Sequence, residues 1–149
     1  MATLAEVLLN PSNRPKVIRD CVGVLEGEVD RKGGLSGIAI KTGFKVLKTV
    51  KPTMVEDSMD GLLDEFVEKL EPIHTEYMTH HKGTPLDGFL GKNASRIANV
   101  LLGITDVRAQ RSTHSVVKGT YEKLRPTAAK HIEEAMPAVA RLLRKHMGY

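Results

Sequence analysis

Residues 53–72, TMVEDSMDGLLDEFVEKLEP, decide the fold. Val55, Met59, Leu62, Leu63, Phe66, Val67 and Leu70 recur at steps of three and four, the spacing that stacks side chains on one face of an α-helix. Asp57, Asp60, Asp64, Glu65 and Glu68 take the remaining positions, so this helix is amphipathic and acidic. Thr53-Met54-Val55-Glu56 has the form of a capping box, in which the threonine hydroxyl accepts from the Glu56 amide and the glutamate accepts from the Thr53 amide. Glu71-Pro72 is the expected end, because proline has no amide proton to continue the ladder.

The same grammar extends to both sides. Thr3 to Leu9 reads as a short helix closed by Asn10-Pro11. Asn13 caps a second helix, with Pro15 in its first turn, a stripe of Ile18, Cys21, Val22, Leu25 and Val29, and Gly33-Gly34 as its end. Ser36 caps a third helix running to Val50 and carrying Ile40, Phe44 and Leu47. Ser36, Ala39 and Gly43 lie along one side of it. A helical glycine costs about 1 kcal/mol against alanine, so Gly43 is expected to face a closely packed neighbouring helix; the alternative is a ligand lying against its bare backbone.

Toward the C-terminus, Pro72 to Met78 forms a weak helical turn and Lys82-Gly83-Thr84-Pro85 a loop. Ser95 to Ile104 buries Ile97, Val100, Leu101 and Ile104, and Thr113 to Leu124 carries Val116, Val117, Tyr121 and Leu124. Thr127 to Met147 is the last helix, with Ile132, Ala135, Val139, Leu142 and Leu143 inward and a kink near Glu133 to Pro137. Sustained period-two alternation is missing, so the chain is expected to be all-α, a compact bundle of about six to eight helices in one domain over residues 1–149. Leu47 to Thr53 and Tyr121 to Thr127 echo each other as basic-Pro-Thr punctuation 74 positions apart, half the chain; the plain reading is punctuation that any helical bundle reuses, and the alternative is two pseudo-repeated halves.

The runs Gly34-Leu35-Ser36-Gly37, Lys41-Thr42-Gly43 and Val50-Lys51-Pro52, with Leu101 to Asp106 and Val117-Lys118 to Tyr121, resemble a family of short bacterial proteins known only as a domain of unknown function. The resemblance implies a helical bacterial protein. It brings no activity and no catalytic residues.

Composition narrows the classes. With 41% hydrophobic and 27% charged residues, the 149-residue chain is ordinary for a globular protein, which excludes wholesale disorder. Three Tyr, three Phe and no Trp argue against a stacking platform for single-stranded nucleic acid. The lone Cys21 excludes an internal disulfide. Apolar runs are only a few residues long, so no segment spans a bilayer, and the Met1 to Glu6 stretch lacks the pattern of a secretion signal; a cytoplasmic protein with no membrane partner is expected.

Catalytic and metal motifs are thin. Glu71-Pro72-Ile73-His74 has the Glu-x-x-His spacing of di-iron bundles, but such sites need a second copy, and no other histidine has an acidic residue three positions before it. Glu76 and His80 could share a helix face, but two ligands make a weak site, so His74, His80 and His81 are expected to be surface histidines; no metal or other cofactor is expected. Gly34-Leu35-Ser36-Gly37-Ile38 falls short of a nucleophile elbow, which requires glycine at position 38 and a preceding strand. Cys21 sits among apolar residues as an inert small hydrophobe. Neither a Gly-x-Gly-x-x-Gly loop nor a Walker loop occurs.

Charge is the more informative signal. Lys41, Lys45 and Lys48 step along one face of the third helix and Lys51 closes it, next in sequence to the acidic helix. The plain reading is two helices side by side, with solvated or loosely paired lysines. The sharper reading is an anion-binding face of Lys41, Lys45, Lys48 and Lys51. Val107 to Tyr149 holds nine Lys/Arg against three Asp/Glu, and Arg108, Arg111, Lys118, Lys123, Arg125 and Lys130 would extend such a patch. Without a helix-turn-helix or zinc-finger signature, nucleic acid is not the favoured partner. The leading expectation is a non-enzymatic interaction or structural module that binds a protein partner or itself. Polyanion binding comes second, and an enzyme or small-ligand carrier with a site assembled from scattered residues comes third.

Overall fold

The first turn of the chain shows how tertiary contacts complete local signals. In the computed structural model, which describes residues 2–149, α1 spans Leu4–Leu8. Thr3 caps it with a full capping box: its hydroxyl accepts from the Glu6 amide at 3.0 Å, and the Glu6 carboxylate accepts from the Thr3 amide. The Glu71 carboxylate takes the next two orphan donors, accepting from the Leu4 amide at 3.0 Å and the Ala5 amide at 3.1 Å.

The remaining helices are α2 (Arg14–Arg31), α3 (Gly34–Val50), α4 (Met54–Glu76, continued by a π-helical turn Tyr77–His81), α5 (Leu86–Lys92), α6 (Ala94–Arg111), α7 (Ser115–Glu134) and α8 (Met136–Met147). The described residues form eight α-helices and no strand, an all-α bundle. The main core gathers Leu4 and Leu8, Leu63, Val67 and Ile73 of α4, Phe89 and Leu90 of α5, and Met136 and Ala140 of α8. A smaller cluster of Val22, Val55 and Met59 packs with Phe44 and Phe66. The pair α3 and α7 lies over the edge of this arrangement. Thr120 is the one buried residue in the twenty of α7.

Several expected boundaries move. The capping box at Thr53 does not form; its hydroxyl donates to the Asp57 carboxylate at 3.0 Å instead. Helix α4 runs on through Pro72 because Ile73, His74 and Tyr77 beyond it are buried, and that burial outweighs one missing amide proton. Helix α7 is likewise continuous through Pro126, and the break falls at Ala135, so the expected kink is a full helix end with Pro137 in the first turn of α8. Pro52 therefore lies in a turn and Pro126 inside a helix, so the echoed punctuation has two different settings. Asn13 precedes α2 but makes no capping bond. Its amide donates to the Val7 carbonyl at 3.0 Å and meets His146 Nδ1 at 3.3 Å. Ser36 is not a cap either, since α3 starts at Gly34, where φ is +68° and glycine is favoured.

Gly43 behaves as its cost predicted. A Cβ there would lie 3.0 Å from Leu124 Cδ1 and 3.2 Å from Thr120 Cγ2, so α3 and α7 meet closely at that point. Gly37 is tighter still, with a Cβ only 2.6 Å from the Lys32 carbonyl carbon.

Candidate interaction surface

Of the residues with metal-ligand spacing, Glu71, His74 and Glu76 are engaged in contacts within the fold. Glu71 caps α1, and its Oε2 lies 3.7 Å from His74 Nδ1. His74 is buried rather than at the surface as expected, because its Nε2 bonds the Tyr149 hydroxyl inside the fold. Glu76 pairs with Arg96 at 2.8 Å, which holds its carboxyl below the usual range, and His80 and His81 are exposed. Among the described residues, no three His, Cys, Asp or Glu side chains converge on one point. Burial pushes the Cys21 thiol up to about 11, away from the thiolate a nucleophile needs.

Much of the C-terminal basic excess is also paired. Arg108 bonds Glu65 at 2.7 Å and the Gly61 carbonyl, Arg125 binds Asp106 through two nitrogens, Arg144 meets Asp87, and Lys145 reaches Asp20 at 2.9 Å. Asp106 also accepts from Tyr121, fastening α6 to α7. The acidic face of α4 is answered mainly by arginines: Arg14 of α2 holds Asp60 and Asp64, and Arg108 of α6 holds Glu65. Sequence proximity had suggested the α3 lysines for that role.

The four lysines of the proposed anion face divide into two pairs. Lys51 binds Asp57 at 2.6 Å, and Lys48 lies 3.6 Å from Glu26 of α2. Lys41 and Lys45 are exposed and make no ion pair among the described residues.

Beside them the surface becomes apolar. Leu35 is 89% exposed and Ile38 is 63% exposed, on the outward side of α3. Next to them runs a groove of about 450 Å³ between α3 and α7, walled by Ala39, Thr42 and Val46 on one side and Val116, Gly119 and Lys123 on the other. Val116 is itself exposed. A second apolar cleft, about 440 Å³, lies where α3, α4, α6 and α7 meet, lined by Phe44, Leu62, Val117 and Leu124. The buried side-chain atoms without a hydrogen-bond partner belong to Glu28 and His131, which do not line either space.

The lysine row was legible from its spacing. The apolar face was not, because outside the lysine row α3 carries apolar residues over most of its circumference and periodicity alone does not say which of them stay in water.

Helix order, core and surface define an all-helical bundle whose histidines and acidic residues are engaged mainly in capping and ion pairing, and whose most exposed large apolar side chains, Leu35 and Ile38, lie on α3. Residues 4–147 match a family of unknown function (DUF6918), and the chain belongs to that family. No curated protein and no solved structure matches it. Among the described residues no helix is long and apolar enough to cross a membrane.

Proposed function

We propose that this protein is a non-enzymatic, cytoplasmic interaction module that works through the outward face of α3 and its groove against α7. The observation that carries this reading is the side-by-side exposure of Leu35 and Ile38. Single exposed leucines are ordinary, whereas neighbouring ones joined to an apolar groove form the kind of contiguous patch that marks association sites. The shallow packing of α7 supports the same reading, since a partner over the groove would bury half-exposed side chains of both helices. Polyanion binding ranks below it because Lys48 and Lys51 already have carboxylate partners, leaving Lys41 and Lys45 as a short row for a phosphate backbone.

The test is site-specific photo-cross-linking in the native host, with benzoylphenylalanine replacing Ile38 or, as a control, Glu68 on the exposed side of α4. A discrete protein adduct from position 38 and none from position 68 is expected. No adduct from position 38, or equal adducts from both, would remove this surface as the working one.

A further inference from the structure

The charge around the groove specifies what kind of partner fits it. Helix α3 contains three lysines and no acidic residue, and Lys51 follows at its end. Leu35, Ile38, Ala39, Thr42 and Val46 follow the i, i+3, i+4, i+7, i+11 pattern of one helical face. Lys41 and Lys45 stand three and seven positions after Ile38, along the flank of that face. Across the groove stands Lys123. None of these three lysines makes an ion pair among the described residues. Glu122, the nearest acid on α7, faces the neighbouring cleft with Lys118 and Arg125.

We infer that the α3–α7 groove receives an amphipathic helix of a different protein, with an apolar stripe flanked by Asp or Glu on both sides. This inference rests on the interaction surface proposed above and names its partner chemistry. The span from Leu35 to Val46 is about 16 Å at the rise of an α-helix, enough for about three turns of such a segment. Apolar side chains would enter the groove while the acidic flanks meet Lys41 and Lys45 on one side and Lys123 on the other, the helix-in-groove mode of recognition.

A second copy of this chain fits less well. Two α3 faces would oppose lysine to lysine with no acid between them, and juxtaposed like charges disfavour the wrong partner. The acidic face of α4 is a poor substitute, because Asp57, Asp60, Asp64 and Glu65 are already held by Lys51, Arg14 and Arg108, which leaves Glu68 alone on that face to meet a lysine row.

Two fluorescent synthetic helices test the inference, sharing one leucine stripe at i, i+3, i+4 and i+7 but carrying either glutamate or lysine flanks. By fluorescence anisotropy the glutamate-flanked peptide is expected to bind at least about tenfold tighter, with a preference that shrinks as salt rises. The preference should invert in the K41E/K45E/K123E variant and disappear in K41Q/K45Q/K123Q, both with unchanged far-UV circular dichroism. Binding of neither peptide, or equal binding of both, overturns the inference. So does a concentration-dependent dimer abolished by Leu35→Ser with Ile38→Ser. Tighter binding of duplex DNA or of phosphatidylserine vesicles through the same lysines also overturns it. A cross-link from position 38 alongside any of these results would leave the interaction surface standing and remove only its preference for an acidic helix.

Discussion

The imidazole of His74 meets the phenol of Tyr149 across 75 positions of sequence, while its other nitrogen faces Glu71. Glu71 in turn holds the amides of Leu4 and Ala5. One turn of α4 thereby anchors both the first helix and the last described residue. The cluster has the residue types of a proton relay, yet Tyr149 is pushed up to about 12, chiefly by burial, and both Glu71 oxygens are engaged by backbone donors. Its contacts tie both α1 and Tyr149 to α4.

Removing that anchor should be measurable. Glu71→Ala leaves two helix N-terminal amides without their acceptor, and the loss is expected to be roughly 1–3 kcal/mol in urea melts. Glu71→Gln retains one carbonyl oxygen and should lose less. Equal stability of Glu71→Ala and the parent would show that water caps α1 as well as the carboxylate does.

Acid should destabilise the protein through two histidines. Burial lowers the pKa of His74 against the opposing pull of Glu71. Burial, with Lys32 and Lys130, lowers that of His131 against Glu134. Both groups prefer the neutral form when folded, so the unfolded chain takes up protons first. Their contribution is complete above the ordinary histidine value of 6.5 and is lost as pH falls below it through the folded values. Melting temperature should therefore drop between pH 7 and pH 5, and His131→Gln should flatten part of that drop. A flat profile in the parent over that interval would contradict the depressed values.

The two buried glycines of α3 should respond unequally to alanine. At Gly37 the new methyl would meet the Lys32 carbonyl, which is backbone and has little freedom to yield, so Gly37→Ala is expected to lose roughly 1–3 kcal/mol or more. At Gly43 the contacts are the ends of the Leu124 and Thr120 side chains, which can rotate. The helix-propensity gain of about 1 kcal/mol offsets that adjustment, leaving Gly43→Ala within about 1 kcal/mol of the parent. Paired denaturant melts separate the two, and similar losses at both sites would mean that the α3–α7 contact is as unyielding as backbone.

Helical periodicity carried most of this architecture, and its failures have physical causes. Helix α5 was missed because it is only seven residues long and Gly88 and Gly91 interrupt the pattern of Leu86, Phe89 and Leu90. Pro72 and Pro126 read as boundaries because local chemistry favours an end there, whereas α4 continues to keep Ile73, His74 and Tyr77 in the core. Thr3-Leu4-Ala5-Glu6 and Thr53-Met54-Val55-Glu56 carry the same capping signature, yet only the first forms the box, since Thr3 has the extended backbone of a cap (ψ 165°) and Thr53 does not (ψ 17°). Of the candidate surface, the lysine spacing could be read directly. Which lysines remain unpaired depended on Glu26 and Asp57, whose approach is a matter of helix packing.

Adjacent leucines in α4 test the rotational setting of the stripe on which the fold was first read. Leu63 is 4% exposed and belongs to the main core with Val67 and Ile73, whereas Leu62 is half-buried at the edge of the four-helix cleft. Leu63→Ala deletes a large side chain where the surroundings are packed on all sides, and should destabilise by roughly 2–5 kcal/mol. Leu62→Ala deletes the same atoms beside space already open to water. The transfer loss is then partial and little new cavity forms, so a loss below about 1.5 kcal/mol is expected. Denaturant melts of both variants decide the matter: a larger loss at Leu62 than at Leu63 would place the helix about a quarter-turn away from the orientation described.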